Sequence, residues 1–139
     1  MESGMIAEVY VAICQDQGDS QARVVFHAYD DNGRCKEVAR YVPALPTSNQ
    51  TVARAILTAL ERLQKNGHTG TVVYTNLKAA VPRPDHDPFP GAEGFQALVN
   101  RIHLASIETG CEVAWCSSGH PRMAAARAVA RDERKEANP

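Results

Sequence analysis

The sequence predicts an α/β fold on a five-stranded mixed sheet, with elements in the order β-β-β-α-β-α-β-α. Three observations point there. Strand-forming runs flank Asp30-Asp31-Asn32-Gly33, and its Asn-Gly pair suits a hairpin turn. Three later stretches have the spacing or composition of helices. Short β-branched or aromatic runs alternate with them, the pattern of parallel strands joined by right-handed crossovers.

The elements follow in order. Ile6 to Cys14 is rich in β-branched and aromatic residues and reads as the first strand. A polar loop leads to a second strand, Ala22 to Tyr29. Arg34 to Tyr41 returns antiparallel, and Pro43 and Pro46 should end it, because proline cannot donate to a ladder. Thr47-Ser48-Asn49 offers helix caps. The helix is expected over Gln50 to Lys65, with Val52, Ala55, Ile56, Ala59, Leu60 and Leu63 on one face and Asn66-Gly67 as the stop. Thr71 to Thr75 reads as a fourth strand, central and parallel. Leu77 to Val81 suggests one helical turn. Pro82 to Pro90 holds four of the eight prolines and reads as a loop carrying Asp85-His86-Asp87 at its exposed tip. Helical spacing returns at Phe95, Leu98, Val99 and Ile102, ending at Gly110. Cys111 to Cys116 is the fifth strand, with Trp115 expected in the core. An Ala/Arg-rich helix runs from Pro121 to Glu136, with proline favourable at its first position.

A length of 139 residues fits one domain, 1–139. With 15 Lys and Arg against 16 Asp and Glu, the net charge of -1 gives no overall attraction to nucleic acid or anionic lipid. Polyanion binding would need a local cluster of cations. No apolar run is long enough for a membrane helix. Met1 to Met5 lacks the features of a signal peptide, so a cytoplasmic location is expected. Cys14, Cys35, Cys111 and Cys116 form no CxxC pair and read as reduced thiols. Cys111 and Cys116 should point to opposite faces of an extended stretch, which argues against a shared zinc.

Three stretches carry a family resemblance. Thr47 to Leu63 is similar to a Thr-Asn-Asn-type cap running into an Ala/Leu-rich helix. Val72-Val73-Tyr74-Thr75-Asn76 resembles an apolar strand ending in Ser/Thr-Asp-Ser. Val113-Ala114-Trp115-Cys116-Ser117-Ser118-Gly119-His120-Pro121 resembles a Val-x-Trp-Val-x-Gly-His stretch before a last helix. In this order they resemble the type I ribonucleases H, over most of the chain. The resemblance implies a ribonuclease H-like fold with sheet order 3-2-1-4-5. Members of that family hydrolyse the RNA strand of RNA·DNA hybrids with two divalent cations about 4 Å apart.

Such cations need carboxylate oxygens, and the family supplies four. The matching positions here hold Ala12 on the first strand, Val52 in the first helix, Asn76 after the fourth strand and Arg127 in the last helix. Ala12 and Val52 cannot coordinate, Asn76 is a weak neutral ligand, and Arg127 opposes a cation. A catalytically inactive domain is therefore expected, with no metal or other cofactor.

Arg127, Arg131 and Arg134 share a helix face, and with Arg122 they form a candidate phosphate-binding stripe. Asp132, Glu133 and Glu136 are interleaved as potential ion-pair partners. His120 suits an N-cap, and Ser117-Ser118 with His120 lacks an acid partner for nucleophilic catalysis. Two readings remain. In the first, Asn49, Asn76, His120, Arg122, Arg127 and Arg131 contact nucleic acid, whether RNA·DNA hybrid, duplex or single strand. In the second the fold is a scaffold for a protein partner or a homodimer, the latter through the exposed edge of the third strand. Residual hybrid nuclease activity is a third, weaker reading. No membrane role is expected.

Overall fold

The computed structural model describes residues 5–16, 18–83 and 93–137, the stretch 132–137 by its backbone alone. The Asp85-His86-Asp87 tip lies outside the described residues, as do the side chains of Asp132, Glu133, Arg134 and Glu136.

The hairpin forms where the Asn-Gly pair predicts it. β1 (Ile6–Cys14) pairs antiparallel with β2 (Gln21–Asp30), and β2 with β3 (Cys35–Pro43). Asp30 Oδ1 accepts the backbone N–H groups of Asn32 and Arg34, each at 2.9 Å, and Gly33 takes the positive φ of 79° that the turn needs. β3 runs on through Pro43, two residues beyond the expected end at Tyr41. As an outer strand it can end on a proline and lose at most one ladder bond.

α1 (Ser48–Lys65) starts two residues before the expected Gln50. Thr47 Oγ1 accepts the Gln50 N–H, and Gln50 Oε1 accepts the Thr47 N–H, both at 3.1 Å. This reciprocal cap satisfies two orphan donors and sets the start of the helix. β4 (Val72–Thr75) follows, then a short 3₁₀ turn at Lys78–Ala80. α2 (Gly94–Thr109) stops at Gly110, whose φ of 70° is left-handed. β5 (Glu112–Trp115) and α3 (Pro121–Ala137) complete the chain. The sheet order is β3-β2-β1-β4-β5, with β4 parallel to both β1 and β5.

β1 is central, and its alternating side chains feed two layers. Val9, Val11, Val24, Phe26 and Val73 face α1 and α2, meeting Ile56, Leu60, Leu63 and Ile102. Tyr10, Ala12 and Val25 face α3, meeting Met123, Ala126 and Ala130. Trp115 is not in the core: it is 44% exposed, with the Lys78 ammonium 4.5 Å from its ring centroid. It is the last residue of an outer strand, where neighbours are fewest. Cys111 and Cys116 are buried, Cys14 is half-buried and Cys35 exposed, all as free thiols. Among the described residues, no helix is long and apolar enough to cross a membrane.

Leu60 is fully buried, so Leu60→Ala should lower the unfolding free energy in urea titrations by about 3 kcal/mol. Leu104 is 52% exposed, and Leu104→Ala should cost less than about 1 kcal/mol. Equal losses would contradict this layering.

Candidate nucleic-acid interface

Parallel pairing sets Tyr10 beside Tyr74. Ala12 and Asn76 each lie two residues further on, so the register carries both to the C-terminal end of the parallel strands. Ala12 is 4% exposed and sits in the apolar cluster with Val25, Cys116, Met123 and Ala126. Val52 is half-buried against the main core. Asn76 Nδ2 donates to Ser118 Oγ at 2.9 Å. Arg127 is half-buried on α3.

A hard divalent cation takes oxygen ligands, mostly carboxylates. These positions offer a methyl group, an isopropyl group, an amide and a guanidinium, so the residues present do not fit the two-cation centre that the resemblance implies. Among the described residues, no three His, Cys, Asp or Glu side chains are grouped to hold a metal ion.

The sequence reading missed the polar cluster beside this site. Glu8 precedes Tyr10 by two residues on β1, so both face α3. The Tyr10 hydroxyl donates to Glu8 Oε1 at 3.0 Å. Arg122 Nη1 donates to the same oxygen at 2.6 Å, and its guanidinium lies 4.0 Å from the Tyr29 ring centroid. Tyr10 stacks on Tyr74 at 4.8 Å and meets Tyr29 edge-on at 5.7 Å. The spacing of Glu8 and Tyr10 was a signal for part of this cluster. Arg122, 114 residues away, gave none.

Burial, and then the Glu8 carboxylate, push the Tyr10 phenol far above the usual tyrosine range. The same two causes, in the same order, raise Tyr74 and the Cys116 thiol. Tyr29 is raised by burial and then by its hydrogen bond with Cys35. Each favours the neutral form, as expected where a phenol or thiol loses water near a carboxylate.

The six candidate contact residues fall into different settings. His120 is exposed and caps α3, its Nδ1 accepting the Arg122 N–H at 3.2 Å, while its ring stacks on Tyr10 at 5.5 Å. Arg122 spans Glu8 and Tyr29, so a phosphate contact would compete with an ion pair already made. Asn49 is exposed in the first turn of α1. Arg127 and exposed Arg131 follow one another by a helical turn on α3. The structure thus joins His120 to Arg122, ties Asn76 to the loop before α3, and keeps Asn49 on a separate element.

Arg122→Met should cost about 1–2 kcal/mol of stability, since it removes a partly exposed ion pair and a cation–π contact. The tyrosines add a pH dependence. Their folded pKa values lie above those of the unfolded chain, so their contribution is complete below about pH 10 and is lost as pH rises further. Urea titrations should show stability falling above about pH 10, with phenolate absorbance in the native protein lagging that of the unfolded chain. Coincident native and unfolded titrations would contradict the buried cluster.

No protein-family model and no curated protein matches the sequence. Among solved structures, the chain is similar to RNase H1 from the halophilic archaeon Halobacterium salinarum, with 14% identity and a TM-score of 0.62 over 91% of this chain and 97% of that one. It is similar to LC11-RNase H1 in complex with an RNA/DNA hybrid, with 19% identity and a TM-score of 0.64 over 86% of this chain and 89% of that one. The N-terminal RNase H domain of rv2228c from Mycobacterium tuberculosis shares 13% identity at a TM-score of 0.61, over 96% of this chain and 99% of that domain. Strand order, helix placement and these likenesses together give the chain a ribonuclease H-like fold.

Proposed function

We propose that the chain is a non-catalytic ribonuclease H-like domain that binds nucleic acid through its phosphate backbone. One observation carries the reading: the four positions matched to the family's carboxylates hold Ala12, Val52, Asn76 and Arg127, with Ala12 sealed in an apolar cluster. Two-cation hydrolysis depends on anionic ligands that this set does not supply. The same substitutions remove the negative charge that would repel a phosphate, and Arg127 adds a positive one.

Asn49, Asn76 and His120 would contribute hydrogen bonds, and Arg127 and Arg131 the charge. Arg122 would act indirectly, by fixing the start of α3 against Glu8. That LC11-RNase H1 was solved with an RNA/DNA hybrid supports the view that this fold can receive such a ligand. A second reading, a protein-interaction scaffold, is favoured by the exposure of Leu104 and Ile107 on α2, at 52% and 67%.

The test is binding of labelled hybrid, duplex and single-stranded oligonucleotides at two salt concentrations. With two arginine–phosphate contacts, affinity should fall about tenfold between 50 and 200 mM salt. Arg127→Glu with Arg131→Glu should weaken it further at either salt. Absence of binding at low salt would overturn this reading in favour of the scaffold. Mg²⁺ and Mn²⁺ should leave the hybrid uncut, and metal-dependent cleavage would overturn the non-catalytic assignment.

A further inference from the structure

β3 is the outermost strand on its side, and α1 packs over β1, β2 and β4. The hairpin end of β2 and β3 (Asp30, Arg34, Cys35) stands across from the last turns of α1 (Ala59, Arg62, Leu63). A cleft of about 350 Å³ opens beneath it, at the small end of the range for ligand pockets. Ile6, Val9, Phe26, Val38 and Leu63 give it an apolar floor.

The rim has a definite sign. Arg34, Lys36 and Arg62 line it, and all three are exposed, with no ion pair among the described residues. Asp30 is the one acid of the lining, and its Oδ1 is engaged by two N–H groups of the hairpin turn. His68 Nδ1 accepts the Ile6 N–H at 3.4 Å, so a neutral ring carries its proton on Nε2 as a further donor. The C-terminal dipole of α1 opposes an anion here, but Arg62 and Lys65 stand in that last turn against it. A protein segment would bury far more surface than so small a cleft provides.

We infer that this cleft binds a small organic anion with an apolar body: a carboxylate or phosphate head held by Arg34, Lys36 and Arg62 over an acyl or aromatic group on the floor. The site lies by Ile6, where β1 begins, and Ala12 and Asn76 lie at the opposite end of the parallel strands. It is therefore independent of the nucleic-acid reading.

Anilinonaphthalene sulfonate, an anionic aromatic fluorophore, is a direct probe. Fluorescence should saturate at one site, and the amide shifts of Ile6, Lys36, Leu63 and His68 should move. Octanoate and octyl phosphate should displace the probe, the better competitor showing which head group is preferred, whereas octylamine should not. Lys36→Glu with Arg62→Glu should weaken binding at least tenfold, and Arg54→Glu, an exposed α1 position outside the cleft, should leave it unchanged. Ala28→Phe should block binding by filling the cleft, with circular dichroism reporting that the fold is kept. No binding, equal displacement by octylamine, shifts confined to other residues, or insensitivity to the charge reversals would each overturn the inference.

Discussion

β1 is enclosed on four sides. β2 and β4 hydrogen-bond to its edges, α1 covers one face, and α3 covers the other. β2, β4, α1 and α3 all pack directly on it, so its alternation of side chains sets the chemistry of both layers. Val9 and Val11 face an aliphatic layer in which shape alone matters. Glu8, Tyr10 and Ala12 face α3, and there hydrogen bonds must be satisfied as well. A one-residue slip of β1 would send Tyr10 and Glu8 into the aliphatic layer, so the register is strongly specified.

The α3 face of the sheet carries polar groups beside its apolar cluster. Beyond the Glu8–Tyr10–Arg122 group, His27 Nε2 lies 2.7 Å from Glu37 Oε1, and the Arg23 guanidinium lies 4.6 Å from the Tyr41 ring centroid. Arg122 does two jobs at once, compensating Glu8 and covering Tyr29. It thereby holds the first turn of α3, which His120 caps. The start of the helix that carries Arg127 and Arg131 is fixed by charge and aromatic contact, and its later turns by Met123, Ala126 and Ala130 against Ala12 and Val25. The small side chain at Ala12 matters to that close approach. A carboxylate there would be buried among apolar groups, at a steep desolvation cost unless a cation compensated it.

Much of this fold was legible in the sequence because its signals are local. The Asn32-Gly33 turn, the Thr47/Gln50 cap and the Gly110 stop each act within a few residues of chain. The β1 boundaries were read correctly, and the helix and strand errors are shifts of one or two residues at caps and edges. Trp115 was misplaced because composition does not tell an outer strand's last residue from a central one. Three of the six candidate contact residues, His120, Asn76 and Arg122, prove to have structural partners, which spacing alone could not show. The tyrosine cluster draws on three strands, and the cleft beneath the β2–β3 hairpin is lined from β1, β2, β3 and α1. Both are products of tertiary arrangement.

On the proposed reading, a ribonuclease H-like fold carries a methyl group, an isopropyl group, an amide and a guanidinium at Ala12, Val52, Asn76 and Arg127, the positions matched to the family's carboxylates. Mn²⁺ titration followed through paramagnetic broadening of backbone amides tests it most directly, because broadening maps where a cation sits whether or not any substrate is cleaved. The expected result is no selective broadening of Ala12, Val52, Asn76 and Arg127 at millimolar Mn²⁺. Selective, saturable loss of the Ala12 and Asn76 signals would contradict it.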